Sequence, residues 1–76
     1  MTSKEIGYII NQHRKKSGLT QKELADLSSV GKTVVFDIEK GKETVQLNSL
    51  LKILNVLNIK IELVSPLINS ELNEKG

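Results

Sequence analysis

A chain of 76 residues without a cysteine has no disulfide, no thiolate metal site and no cysteine nucleophile, and it lies near the lower limit for burying a core alone. With 38% hydrophobic residues and only Tyr8 and Phe36 as aromatics, the core must be built from Leu, Ile and Val. That suits packed helices in one domain or half of an assembly, and excludes a two-domain reading. Residues 1–60 carry ten Lys or Arg against six Asp or Glu, whereas residues 61–76 carry Lys75 against Glu62, Glu71 and Glu74, so the halves differ in sign.

The N-terminus MTSKEIGYII has no basic stretch followed by an apolar run. No segment approaches the roughly 20 apolar residues of a spanning helix. A soluble, cytoplasmic protein with no membrane association is expected. Thr2 with Glu5 forms a capping-box pattern, and Ile6, Ile9, Ile10 and His13 then recur at helical spacing, which predicts a first helix over 3–17 stopped by Gly18. Arg14, Lys15 and Lys16 fall in its last turn, where cations favour the helix dipole. His13 is expected as partly buried packing. It has no cysteine or carboxylate cluster around it, so no metal site is expected.

Thr20 with Glu23 repeats the box, giving a second helix over 21–28 with Leu24, Ala25 and Leu27 as its apolar positions. Ser28, Ser29, Val30 and Gly31 then interrupt the pattern for the length of a helix-turn-helix connection. A third helix over 32–40 buries Val35 and Ile38, with Val30 plugging the turn and Gly41 as the stop. Lys32, Thr33, Phe36 and Asp37 are left facing outward. Leu47, Leu50, Leu51, Leu54 and Leu57 predict a fourth, core-facing helix over 47–57.

The period then changes. Ile59, Ile61 and Leu63 alternate with Lys60, Glu62 and Val64, a half-buried strand over 59–64. A lone strand leaves its own backbone groups unpaired, and residues 1–58 offer no second one. The same strand of a second subunit is the expected partner, with Ile59, Ile61 and Leu63 at the dimer contact. Residues 66–76 have too few apolar groups to fold and are expected as a flexible tail.

The segment GLTQKELADLSSVGKTVVFDIEKGK, residues 18–42, resembles the helix-turn-helix of the phage-repressor-like (XRE/Cro) family. The match lies at Gly18, Leu19, Thr20, Gln21, Leu24, Ala25, Val30, Ile38, Glu39 and Gly41, without a gap. The remainder, TVQLNSLLKILNVLNIKIELVSP, is similar to HipB-type antitoxins, whose fourth helix runs into a strand that pairs across the dimer. The resemblance implies a mostly α, four- to five-helix lambda-repressor-like domain over 1–65, with that C-terminal β-strand. It also implies a repressor of its own operon that binds an inverted-repeat operator in double-stranded DNA and a HipA-like serine/threonine kinase toxin. It further implies that Arg14 pairs with Glu39.

On this reading the DNA-binding set is Gln21, Lys22, Lys32, Thr33, Val34, Phe36, Lys40 and Lys42. Gln21 at the start of helix 2 meets a phosphate, or is a plain polar residue of a first turn. Lys32 and Thr33 open the helix that enters the groove, or are solvated surface. Phe36 touches a thymine methyl or packs, and Lys40 and Lys42 touch the DNA backbone or are ordinary exposed lysines. The chain departs from its relatives at Gly31, where Ser or Thr is usual, and at Phe36 and Asp37, where polar or basic residues are common. These two support an alternative, a protein-interaction module that neutralises a partner without specific DNA binding. The stretch before Lys32 and Thr33 is no phosphate-binding loop, since Asp26 stands where that motif needs glycine. No serine, histidine and acid set is in place, so neither an enzyme nor a cofactor is expected.

Overall fold

The computed structural model describes residues 1–67 and contains four helices: α1 (Ser3–Lys16), α2 (Gln21–Ser28), α3 (Lys32–Glu39) and α4 (Leu47–Val56). Both capping boxes form. The Glu5 amide donates to Thr2 Oγ1 at 3.1 Å while the Thr2 amide donates to Glu5 Oε1 at 2.9 Å. Thr20 and Glu23 repeat the exchange at 3.0 and 2.8 Å. Each box satisfies two amides that the first turn of a helix leaves without partners. Hydrogen bonding to Thr2 also holds the exposed Glu5 carboxyl below its ordinary value.

The helix ends follow from chain geometry. Gly18 and Gly41 take the left-handed conformation after α1 and α3, at φ of 73° and 86°. Ser29 does the same at the C-cap of α2, at φ 57°, and the Val30 amide bonds the Ala25 carbonyl at 3.0 Å. Gly31 caps α3 with no side-chain hydrogen bond.

The core consists of Ile10, Leu24, Ala25, Val35, Ile38, Ile53, Leu54 and Leu57. Helix α3 packs against α1, α2 and α4, and α2 also lies on α4. The crossing of α1 over the end of α3 is tight at Gly7. A Cβ there would collide with the Ile38 carbonyl oxygen and lie 2.9 Å from that of Glu39. Only glycine lets the two backbones approach so closely.

Three expectations are corrected. Helix α4 keeps only part of the leucine stripe: Leu54 and Leu57 are buried and Leu50 half-buried as expected, but Leu47 and Leu51 are 66% and 44% exposed and Ile53 is fully buried in their stead. Leu27, expected as an apolar position of α2, is 60% exposed. His13 is exposed rather than partly buried, its Nδ1 lying 2.9 Å from the Ile9 carbonyl oxygen one turn back.

Residues 59–64 form no strand among the described residues. The Ile59 amide closes α4 by donating to the Leu54 carbonyl at 2.9 Å, and Asn58 turns the chain at φ 62°. Beyond that point, no amide from Lys60 to Val64 finds a backbone acceptor among the described residues. Ile61 and Leu63 are 52% and 68% exposed. The tail expected beyond Pro66 lies, from residue 68 onward, outside the described residues.

Candidate nucleic-acid interface

The helix-turn-helix is held in place by one buried carboxylate. Glu39 closes α3, and its Oε2 accepts from Arg14 Nε at 2.6 Å. Its Oε1 accepts from Asn11 Nδ2 at 2.8 Å, Arg14 Nη2 at 3.0 Å and Gln21 Nε2 at 3.1 Å. Arg14 also donates through Nη1 to the Leu19 carbonyl at 2.9 Å. The Arg14 and Glu39 side chains are only 11% and 4% exposed. This node joins α1, the α1–α2 turn, the first residue of α2 and the last of α3.

The chemistry of the node follows from its burial. Desolvation pushes the Glu39 carboxyl up, but the hydrogen bonds from Arg14, Asn11 and Gln21, with the charge of Arg14, together outweigh it. The carboxyl is held below its ordinary value of 4.5. The hydrogen bond to Glu39 correspondingly raises the Arg14 guanidinium above its ordinary value, against the opposing effect of burial. Both directions favour the charged pair.

The expected contact residues differ in exposure and partners. Lys32 and Thr33 are exposed on the first turn of α3, and Phe36, one turn on, is 44% exposed. Lys40 sets its Nζ 5.0 Å from the centre of the Phe36 ring, within cation–π range. Lys42 places its Nζ 3.4 Å from Asp37 Oδ2. Asp37, expected to face outward, is therefore half-buried and turned to that lysine. Val34 is half-buried against the core.

At the start of α2, Lys22 is exposed and pairs with Asp26 one turn on at 3.0 Å. Gln21 gives one of its two Nε2 hydrogens to Glu39 and keeps the other. Lys32 and Thr33 stand at the opposite end of α3 from the node, about 9 to 11 Å away along the axis at 1.5 Å per residue. The side chains that sequence reasoning missed are Asn11 and, as a member of the node, Gln21. Gly7, Ile10 and Arg14 mark the buried stripe of α1, and Asn11 follows Gly7 by one turn, so the spacing carried a signal for it.

A family model described as Helix-turn-helix (HTH_3) matches residues 10–64. The chain belongs to the HTH_3 helix-turn-helix family. It is 35% identical over 65 residues to an uncharacterized HTH-type transcriptional regulator, y4mF, of Sinorhizobium fredii, covering 86% of each chain. Two solved structures share the HTH_3 chain's fold with TM-scores of 0.78 at 21% identity, covering 87% of this chain and 93% of theirs. One is described as MDT Protein and the other as the structure of a HipA-HipB-O2-O3 complex. The chain thus has a helix-turn-helix of the HTH_3 family and is similar to an HTH-type transcriptional regulator. Among its described residues, no helix is long and apolar enough to cross a membrane, and no cluster of His, Asp and Glu has the makings of a metal site.

The depressed Glu39 carboxyl gives a pH dependence of known sign. Its contribution to stability is fully present above the ordinary carboxylate value of 4.5 and is lost as pH falls through the lower folded value. Glu39→Gln leaves Arg14 buried without its counter-charge, a loss on the order of 3 to 5 kcal/mol at neutral pH. Thermal melts from pH 7 to pH 3 are expected to show wild type and variant far apart at pH 7 and converging in acid. A gap of constant size across that range contradicts the assignment.

Proposed function

We propose that this chain is a sequence-specific transcriptional repressor that binds an inverted-repeat operator as a homodimer. On this proposal it also acts as the antitoxin of a HipA-like serine/threonine kinase and autoregulates its operon. The observation that carries the DNA reading is the exposed first turn of α3, Lys32 and Thr33, on a helix whose far end is locked by Glu39. Recognition helices meet base edges with their N-terminal residues, and a rigid mount keeps side chains in register with the groove. Phe36 offers an apolar surface to a thymine methyl, and Gln21, Lys22, Lys40 and Lys42 supply phosphate contacts, with Val34 at the margin of the set.

The homodimer is supported by the C-terminal segment. Ile61 and Leu63 are exposed in the single chain, and the backbone beside them is unpaired among the described residues. Unpaired backbone of that kind is a template for pairing with another chain. Ile59, Ile61 and Leu63 border an apolar groove of about 350 Å³ against Ile6, Leu50 and Leu54, which a second copy's strand and side chains would cover. Two subunits then place their α3 helices about one DNA turn apart.

The kinase partnership is supported by the fold shared, over nearly its whole length, with a chain of the HipA-HipB-O2-O3 complex. The interaction-module alternative drew on Phe36 and Asp37. With Asp37 turned to Lys42, it retains only Phe36.

Lys32→Ala with Thr33→Ala is expected to leave the melting temperature nearly unchanged, since exposed substitutions usually fall within about 0.5 kcal/mol. Affinity for the DNA upstream of its own gene should drop by about 1 to 3 kcal/mol per lost base contact. Wild-type affinity and discrimination in that variant would sink the DNA reading in favour of the interaction module. In the same preparations, Ile61→Lys with Leu63→Lys should sediment as monomer, and a stable dimer would place the interface elsewhere. Co-expression with the neighbouring gene should yield a co-purifying kinase; pull-downs that recover none would leave a plain repressor.

A further inference from the structure

The residues around Gly41 bring a cation from α1 to the end of the recognition helix. Gly41 stands between Lys40 and Lys42 in the left-handed conformation, and the first turn of α1 lies directly on it. A Cβ at position 41 would lie 2.7 Å from Lys4 Cγ and 3.0 Å from Lys4 Cα. The backbone and aliphatic stem of Lys4 are thus held against the glycine. The residue is nevertheless exposed, the usual arrangement of a lysine that buries its stem and keeps its ammonium in water.

The three lysines differ in their company. Lys40 lies over the Phe36 ring and Lys42 faces Asp37. Lys4 has no acidic partner within 4 Å among the described residues. Of the acids around Lys4 and Gly41, Glu5 is turned to the Thr2 amide and Asp37 to Lys42, and Glu43 is exposed in the loop. An ammonium fixed at its stem and free at its head, beside two lysines at the end of a groove-entering helix, is placed to neutralise a phosphate and release its counterion.

We propose that Lys4 is a third backbone-contacting lysine, meeting duplex phosphates beside Lys40 and Lys42, with Gly41 as the residue that lets α1 come close enough. The inference rests on the DNA-binding reading above. A phosphate contact carries no sequence information, so its signature is a change in salt dependence shared by all sequences.

The test is fluorescence anisotropy of wild type, Lys4→Gln, Lys4→Arg and Lys42→Gln on two duplexes, the DNA upstream of the gene and a scrambled version, across a salt series. Lys4→Gln is expected to lower the slope of log K against log salt by about 0.9 per subunit on both duplexes. The wild-type advantage therefore shrinks about eightfold per subunit for each tenfold rise in salt. Lys4→Arg should restore the slope, and all variants should melt like wild type. A Lys4→Gln slope equal to wild type, with Lys42→Gln reduced, overturns the role of Lys4 while leaving the DNA reading intact. A wild-type protein whose binding is absent or flat in salt on both duplexes overturns the DNA reading and this inference with it.

Discussion

The orientation of α3 depends on the buried pairing of Arg14 with Glu39. A carboxylate only 4% exposed is costly unless its lone pairs are occupied, and here four hydrogen bonds from three side chains occupy them. The donors come from α1 and α2, and the acceptor is the last residue of α3. The geometry that satisfies the charge therefore also fixes how α3 sits on its neighbours. Gly7 reinforces the constraint by letting α1 meet the carbonyls of Ile38 and Glu39 at closer range than any side chain allows.

The charges outside the node are of a different kind. Lys22 with Asp26 is open to solvent, at 70% and 66% exposed, and Lys42 with the half-buried Asp37 is partly so. Such pairs contribute about 0 to 1 kcal/mol, so exchanging an aspartate for a phosphate costs the fold little. The buried pair cannot be exchanged without loss of structure. One salt bridge thus builds the mount, and weaker ones hold lysines near the surface that the mount presents.

Much of this was legible in the sequence because short-range chemistry decides it. Thr2 with Glu5, and Thr20 with Glu23, mark the two helix starts where the boxes form, and Gly18 and Gly41 mark the stops. The burial of Ile53 in α4, in place of Leu47 and Leu51, was not legible. Leucine and isoleucine occupy so many of its positions that several stripes fit the pattern, and Ile53 lies deepest only because α2 and α3 approach from that side. His13 illustrates the limit of periodicity: its spacing continues the apolar stripe, but at the helix end no neighbour covers it. The role of Gly7 depends on which helix crosses α1, a matter of tertiary geometry rather than local pattern; once Gly7 is placed there, Asn11 follows from its helical spacing. The alternation at Ile59, Ile61 and Leu63 announces a strand, yet a strand exists only with a partner, and one chain provides none among its described residues.

If the node presents α3 to duplex DNA, and does so twice in one dimer, hydroxyl-radical footprinting on the DNA upstream of the gene will register both contacts. Two protected patches related by an inverted repeat and centred about 10 base pairs apart are predicted. A single patch, or no protection at protein concentrations that saturate binding, would contradict it.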